Sequence, residues 1–325
     1  MLNPALSLNL DTVNKKSTRD GAGFSLLQEG KANPNLFVLS ADLRESTRVE
    51  DFSKELPNQY IEVGVAEQNL AGIAAGIASC GNISVINSFA VFSPGRNWDQ
   101  IRVSICYSNS NVKIIGHHAG LLTGQDGATH QALEDIAITR VLPNIVVINP
   151  CDYEQMIKAI SFSVAYEGPV YLRSYREKLP QITTEQTPLE YGKAQKMLEG
   201  KDLTIISSGP ILFEVLEAIT ELENKHNLSI ELINLPFIKP IDKEALVQSL
   251  GKTKKGVVIE EHQINGGVGS AVLEAISENN SYPIKLIGIN DTFGESGLPK
   301  ELYEKYEISS QHIVKKILQF LERIK

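Results

Sequence analysis

Cysteines, basic clusters and long apolar runs are all scarce in this sequence of 325 residues. The three cysteines (Cys80, Cys106 and Cys151) lie far apart, which argues against a disulfide framework or a zinc site and predicts a reduced, cytoplasmic setting. The net charge is −8 and no Lys/Arg cluster stands out, so a nucleic-acid-binding role is disfavoured. No apolar run is long enough to cross a bilayer, and residues 1–20 lack the pattern of a secretory leader.

The composition that remains is that of an ordinary globular protein, with 42% hydrophobic and 22% charged residues. Short β-branched runs alternate with amphipathic helical stretches, and the rhythm breaks once, at a polar segment that contains Pro180 and Pro188. This pattern predicts the α/β class, with two consecutive three-layer domains built on mostly parallel sheets. The predicted divisions are an N-terminal extension at 1–16, a first domain at 17–180, a linker at 181–200 and a second domain at 201–325.

The alternation also predicts individual elements. In the first domain the predicted strands are 37–40, 84–87, 113–116, 145–148 and 170–173, and the predicted helices are 19–31, 67–79, 96–107, 133–141 and 153–165. In the second domain the strands are 203–207, 230–234, 256–260 and 285–288, and the helices are 211–224, 243–250, 267–277 and 311–323. Asp152 is the predicted N-cap of the helix at 153–165.

Glu67 is the first candidate for a functional group. In the segment Ile61-Glu-Val-Gly-Val-Ala-Glu-Gln-Asn69, a strand ends at a glycine and Glu67 begins an Ala/Gly-rich helix. Ligands of open α/β sheets bind beyond the carboxyl ends of the strands, so a catalytic carboxylate would stand here. The alternative is that Glu67 stabilises the helix N-terminus through the helix dipole.

Two further segments follow predicted strands. Phe89 and Phe92 stand three residues apart and either line a pocket for a flat heterocycle or belong to the core. The glycine-rich segment Gly116–His130 carries three of the six histidines together with Asp126. A metal site and a purely structural loop are the alternatives, but a histidine-rich loop at a strand's carboxyl end favours a polar small-molecule substrate.

Four arginines lie near the ends of predicted elements. Arginine in such a place can bind a phosphate through two parallel hydrogen bonds, whereas an exposed, weak ion pair is the commoner case. The four are Arg19, Arg44, Arg173 and Arg176.

Taken in order and spacing, the motifs resemble the pyrimidine-binding domain of transketolases. They are Val63-Gly-Val-Ala-Glu-Gln-Asn69, Ser88-Phe-Ala-Val-Phe92, Trp98-Asp-Gln-Ile-Arg102, Gly124-Gln-Asp-Gly-Ala-Thr-His-Gln131 and Leu142-Pro-Asn-Ile-Val-Val-Ile-Asn-Pro150. The resemblance continues through Glu260-Glu-His262, Gly266-Gly-Val-Gly269 and Phe293-Gly-Glu-Ser-Gly297. It therefore covers nearly the whole chain after residue 16.

The resemblance implies thiamine diphosphate as the cofactor. Glu67 would hydrogen-bond its aminopyrimidine ring and favour the reactive tautomer, which requires a carboxyl group able to donate a proton. Phe89 and Phe92 would wall that ring, and Asp42 would lie near the thiazolium. Many members of the family carry a third aromatic residue where Gly95 stands, so the ring would be packed more loosely here.

The resemblance also implies the reaction: transfer of a two-carbon ketol unit from a ketose phosphate to an aldose acceptor. His118 and His130 would contact the donor sugar and move protons, while Asp126 would bind its C2 hydroxyl. The terminal phosphate would be held by Arg19, Ser46 and Arg176. Gln125 replaces a usual glutamate, and His117 is expected to pack or to face a partner.

The family's diphosphate-binding domain, with its Gly-Asp-Gly motif, has no counterpart in this sequence. The resemblance therefore implies the C-terminal section of a split transketolase, whose separate N-terminal subunit holds the diphosphate and the Mg²⁺ or Ca²⁺ ion. This chain would supply no metal ligand, and the assembly would be an α2β2 heterotetramer. The second domain is expected to stabilise the dimer and to contribute little to chemistry.

Three other functions share this architecture. A deoxyxylulose-phosphate synthase usually carries arginine where His118 stands, and the beta chain of a 2-oxoacid dehydrogenase would lack the phosphate-binding set at Arg19, Ser46 and Arg176. A non-catalytic scaffold is the third. The presence of Glu67 and of the polar loop residues argues against a scaffold.

Overall fold

Two sheets form the framework of the chain, which the computed structural model describes at residues 15–278 and 282–324. The predicted N-terminal extension lies outside the described residues except for Lys15 and Lys16. Lys16 joins the first half of the chain through backbone hydrogen bonds with Leu179, at 3.1 and 3.2 Å. The α/β class and the mostly parallel sheets are as predicted.

The first sheet has seven strands in the order β10-β5-β6-β4-β3-β1-β2. Strands β1 to β6 pair in parallel, and β10 lies antiparallel to β5 at the edge. The central strand β4 is buried along its whole length, as expected where helices cover both faces of a parallel sheet. The strands are β1 (Leu36–Ser40), β2 (Tyr60–Glu62), β3 (Ile83–Phe89), β4 (Val112–His117), β5 (Val146–Ile148), β6 (Val170–Arg173) and β10 (Phe237–Lys239).

The second sheet has five strands in the order β12-β11-β8-β9-β7. All of its pairings are parallel except that of β7, which lies antiparallel to β9. The strands are β7 (Gln195–Leu198), β8 (Leu203–Ser207), β9 (Ile230–Asn234), β11 (Gly256–Gln263) and β12 (Ile284–Ile289).

Helices connect the strands and cover the sheets. In the first half they are α1 (Thr18–Ala32), α2 (Glu50–Glu55), α3 (Glu67–Ser79), α4 (Trp98–Gln100), α5 (Asp135–Arg140) and α6 (Tyr153–Ala165). In the second half they are α7 (Leu212–His226), α8 (Lys243–Thr253), α9 (Val268–Ile276), α10 (Pro299–Lys305) and α11 (Ser310–Arg323). The predicted N-cap of α6 is confirmed, because the Asp152 carboxylate accepts a hydrogen bond from Gln155 N at 2.9 Å. Among the described helices, none is both long and apolar enough to cross a membrane.

The structure departs from the predicted elements mainly where these are short. Strands β2, β7 and β10 and helices α2 and α10 were not predicted, because three to seven residues are too few to show a period. The predicted helix at 96–107 begins only at Trp98 and continues as a π-helical segment at Ile101–Tyr107. Strand β7 lies inside the segment predicted as a linker.

The two halves of the chain share hydrophobic packing. Strand β10 comes from the second half but joins the first sheet beside β5. One buried cluster contains Ile86 and Ile114 from the first sheet as well as Ile206 and Val258 from the second. The position of each half relative to the other is therefore fixed by burial of apolar surface.

Candidate active site

The predicted site residues meet at one edge of the first sheet. Asp42 follows β1, Glu67 follows β2, Phe89 ends β3, His118 follows β4 and Arg176 follows β6. These five strands are neighbours and run parallel, so their carboxyl ends lie side by side. The chain passes from β1 to β2 on one side and then to β3 on the other. In open α/β sheets, the ligand-binding crevice lies where the strand order reverses in this way, here between β1 and β3.

Glu67 begins α3 and is 5% exposed. Its Oε1 atom accepts a hydrogen bond from Arg96 Nη1 at 3.0 Å, and its backbone carbonyl accepts one from Asn97 Nδ2 at 3.0 Å. The Arg96 guanidinium also lies over the Phe92 ring, 4.1 Å from its centroid. Sequence reasoning missed Arg96, because it is 29 residues from its partner and only the fold brings the two together.

The two phenylalanines lie in the site with both predicted histidines. The Phe89 and Phe92 rings stack with centroids 5.8 Å apart. His118 stacks on Phe89 at 3.9 Å, and the His130 ring lies edge-on to Phe89 at 5.9 Å and to Phe92 at 5.3 Å. Phe89 is nearly buried whereas Phe92 is half-buried, so Phe92 presents the more accessible face.

His118 is a buried imidazole in an unusual backbone conformation, with φ of 55°. Burial lowers its pKa to about 2, and the nearby charges of His117, Arg19, Arg176 and His130 act in the same direction. The side chain is therefore neutral at physiological pH. Among the described residues, its Nδ1 atom has no hydrogen-bond partner.

His117 packs within the protein, one of the two positions expected for it. The side chain is fully buried, and its Nε2 atom lies 3.1 Å from Asn87 Oδ1 on the adjacent strand β3. Burial lowers its pKa to about 3, so this histidine is also neutral. It supports the layer behind His118 and has no surface on the crevice.

The arginines divide into two kinds. Arg19 donates from Nη1 to the Ser46 carbonyl at 3.1 Å, and Arg176 donates from Nη1 to Asp126 Oδ1 at 2.9 Å. Arg176 also donates to the Thr123 carbonyl at 3.2 Å, in the loop that follows His118. Arg173 is different: it is 1% exposed and fully engaged in the interior, so it is not a phosphate ligand.

Asp42 is held in the left-handed region at φ 59°, a conformation that is uncommon outside glycine but that aspartate tolerates better than most residues. The Glu62 carboxylate fixes this turn, since its Oε1 atom accepts from Asp42 N at 2.7 Å and from Gly64 N at 3.0 Å. Glu62 carries no signal in the sequence that would single it out. The turn places Asp42 on the exposed side of the crevice.

Within the described ranges 15–278 and 282–324, no three or more His, Cys, Asp or Glu side chains are grouped so that they could hold a metal ion. The acidic groups of the site have other partners: Glu67 pairs with Arg96, and Asp126 pairs with Arg176.

Comparison with known proteins gives consistent matches along the chain. The family model of the transketolase pyrimidine-binding domain matches residues 14–181, and that of the transketolase C-terminal domain matches residues 192–313. A Methanocaldococcus jannaschii protein named as a putative transketolase C-terminal section is 42% identical, covering 95% of this chain and 97% of its own. A 6-deoxy-6-sulfo-D-fructose transketolase subunit from Clostridium sp. is 36% identical over 92% of both chains.

One further relative and one solved structure are similar to this chain over nearly its whole length. A subunit of an apulose-4-phosphate transketolase from Phocaeicola vulgatus is 35% identical, covering 92% of this chain and 96% of its own. Among solved structures, a split-gene transketolase in the form of an inactive β4 tetramer is 41% identical with a TM-score of 0.87. That match covers 94% of this chain and 98% of the other.

Proposed function

Because the chain belongs to the transketolase family, as the C-terminal section of a split enzyme, we propose that it transfers a two-carbon ketol unit from a ketose phosphate to an aldose acceptor. It does so together with a separate N-terminal subunit. One observation carries the proposal. A buried carboxylate paired with an arginine, two stacked aromatic rings and two histidines meet at the carboxyl ends of neighbouring parallel strands.

Three features of the site support thiamine diphosphate as the cofactor. Phe92 is a half-buried aromatic ring suited to one face of a pyrimidine. Glu67 supplies a carboxyl group that can hydrogen-bond a ring nitrogen. The unpartnered Nδ1 of His118 is a buried polar atom that a bound ligand can satisfy. When bound, the cofactor supplies the nucleophilic carbon that carries the two-carbon unit.

The protein residues would bind the cofactor and orient it. Glu67 would hydrogen-bond the aminopyrimidine and favour its reactive tautomer, and Arg96 holds the Glu67 carboxyl group through the hydrogen bond to Oε1. Arg96 also covers Phe92, next to Gly95, the position where the family resemblance implies a third aromatic residue in many members. A side chain at Gly95 would have its Cβ 2.2 Å from the Val91 carbonyl oxygen, so this backbone leaves no room for one.

The histidines serve the substrate. His118 is neutral, so it can accept or donate a hydrogen bond at Nδ1 without a change in charge. The Nδ1 atom of His130 lies 2.9 Å from the Thr129 hydroxyl, which leaves Nε2 as the nitrogen that we assign to the sugar. Asp126, oriented by Arg176, binds the C2 hydroxyl of the donor.

Arg19, Ser46 and Arg176 are proposed to hold the anionic end of the substrate. The substrates that two relatives are named for, a sulfo-sugar and a sugar phosphate, both end in an anion. We expect Arg176→Met to raise the KM of a ketose phosphate roughly 10- to 100-fold, because one charged hydrogen bond is worth about 1.5–3 kcal/mol. Steady-state kinetics should show no such rise for Arg44→Met, which removes the exposed candidate arginine that the resemblance leaves outside the phosphate-binding set. An unchanged KM for Arg176→Met would remove this residue from the anion site.

The partner is proposed to bind the diphosphate and its Mg²⁺ or Ca²⁺ ion, in an α2β2 heterotetramer. Reconstitution tests this directly: we expect no ketol transfer from the chain alone, and activity that depends on cofactor and metal once a subunit with the diphosphate-binding domain is added. Calorimetry should show tight thiamine diphosphate binding only to the complex. Tight binding to the chain alone would contradict the split site, and an inactive complex that nevertheless binds cofactor would contradict ketol transfer.

A further inference from the structure

The loop that carries His118, Asp126 and His130, residues 118–130, is termed here the histidine loop. We propose that Glu261, which lies on β11 in the second sheet, is a positioning residue for this loop. The expected effect of Glu261 on catalysis rests on the proposed function. The contact between Glu261 and the histidine loop does not depend on that function. It gives the second half of the chain a direct part in the site, where the sequence suggested only a stabilising one.

The Glu261 carboxylate lies inside the loop's backbone. The side chain is 2% exposed, and its Oε1 atom accepts a hydrogen bond from Leu122 N at 2.8 Å. Gly120 lies so close that a Cβ atom there would be 2.2 Å from the same oxygen. Gly120 also has φ of 69°, which favours glycine. The loop is therefore shaped around this carboxylate.

Because Glu261 is buried, loss of its hydrogen bond with Leu122 N would cost stability. Loss of solvent raises the pKa of Glu261 to about 7, while the Arg173 guanidinium and the Leu122 amide act in the opposite direction. A buried carboxyl group needs such donors, and the loop amide is one of them. The loop and the carboxyl group therefore stabilise each other, and removal of one releases the other.

A second contact holds the far end of the histidine loop to the second half. The Gln131 side chain donates from Nε2 to the Gly124 carbonyl at 3.0 Å and to the Glu295 carbonyl at 2.9 Å. At Gly127 a Cβ atom would lie 2.6 Å from the Ser296 hydroxyl. The far end of the loop is thus held by residues that follow the second sheet, and Glu261 holds the middle.

The predicted substrate residues are close to this anchor along the chain. His118 precedes Leu122 by four residues and is tied to the same turn, because the Thr123 hydroxyl donates to the His118 carbonyl at 2.6 Å. Asp126 follows Leu122 by four residues. A shift of the Leu122 backbone would therefore move both His118 and Asp126, which flank it along the chain. Glu67 and Phe92 lie on other elements and should keep their places.

The test compares Glu261→Ala with Glu260→Ala. Glu260 is the adjacent residue, is equally buried at 2% exposure, and caps α9 through Val268 N at 2.6 Å and Gly269 N at 2.9 Å. The first readout is amide hydrogen exchange across residues 119–125 in the purified chain, which needs neither cofactor nor partner. We expect at least about tenfold faster exchange in Glu261→Ala and wild-type exchange in Glu260→Ala.

The second readout is kinetic, in the reconstituted complex. We expect Glu261→Ala to lower kcat roughly 10- to 100-fold, since a misplacement of about 1 Å can cost that much, with the cofactor Kd unchanged. Glu261→Gln keeps an oxygen acceptor for Leu122 N and should recover most of both losses; it also serves if the alanine variant fails to fold.

Three outcomes would overturn the inference. The first is wild-type amide exchange of the loop in Glu261→Ala, and the second is loop exchange in Glu260→Ala that is as fast as in Glu261→Ala. The third is a kcat that does not fall in the variant whose loop exchanges faster. The proposed function can fail separately. If the wild-type complex transfers no ketol unit, that function is wrong, and the hydrogen-exchange comparison still decides whether Glu261 holds the loop.

Discussion

Replacing Glu67 by alanine should lower ketol transfer by the reconstituted enzyme about 100- to 10,000-fold, the range typical for loss of a group that controls proton transfer. The physical reason is local. Glu67 is the buried carboxylate at the crevice, and Arg96 orients it from a distance of 3.0 Å. Without it, the aminopyrimidine would lose the group that selects its reactive form, while the aromatic walls would remain.

Two further variants make this result specific. Gln68 is the exposed neighbour of Glu67 on α3, so Gln68→Ala should keep full activity. Glu67→Gln retains the hydrogen bond with Arg96 but cannot exchange a carboxyl proton, so it should be nearly as inactive as the alanine variant. Co-purification with the partner should be normal for all three. A Glu67→Ala complex with wild-type kcat would remove cofactor activation from the proposal.

Arg173→Met should cause a large loss of stability. Arg173 and Asp135 are each 1% exposed and paired at 2.9 Å, and the Tyr171 hydroxyl donates to the same carboxylate at 2.7 Å. Although burial acts to lower the pKa of Arg173, the Asp135 carboxylate raises it above its usual value, so the charge persists. Removing one member of such a pair leaves an uncompensated buried charge, which costs about 3–5 kcal/mol.

Thermal unfolding followed by circular dichroism measures this cost. At about 2–4 °C per kcal/mol, we expect the midpoint to fall by roughly 10 °C. The double variant Arg173→Met with Asp135→Asn should recover part of the loss, because the remaining partner is then neutral. Glu50→Gln, which removes the exposed ion pair with Lys54, should leave the midpoint unchanged. A midpoint that the Arg173 variant does not change would show that the buried pair contributes no net stability.

Long periodic elements and the residues at their ends could be predicted from the sequence. The place of Glu67 could be predicted because a strand, a glycine and an Ala/Gly-rich helix follow one another in the sequence. In the structure, α3 begins at Glu67. Asp152 was recognisable as an N-cap because capping depends on residues three positions apart. The carboxyl ends of adjacent parallel strands then bring the candidate residues together.

Residues that act through a distant partner could not be predicted in this way. The contacts that Arg96 and Glu261 make have no local signal in the sequence, because their partners lie 29 and 139 residues away. Arg173 looked like a candidate phosphate ligand from its place at a strand end, yet its whole side chain is buried. Whether a side chain at a strand end points into the crevice or into the core depends on the packing of both halves.

Strand β10 has a consequence for any attempt to produce the first half of the chain alone. This strand belongs to the second half of the chain and pairs with the outer edge of β5 (Val146–Ile148), which consists of three buried apolar residues. A chain cut at residue 180 would present that row of unpaired amide and carbonyl groups to solvent, next to apolar side chains. Such an open edge recruits strands from other molecules. The shortened protein should therefore aggregate, even though its sheet has its full set of parallel strands.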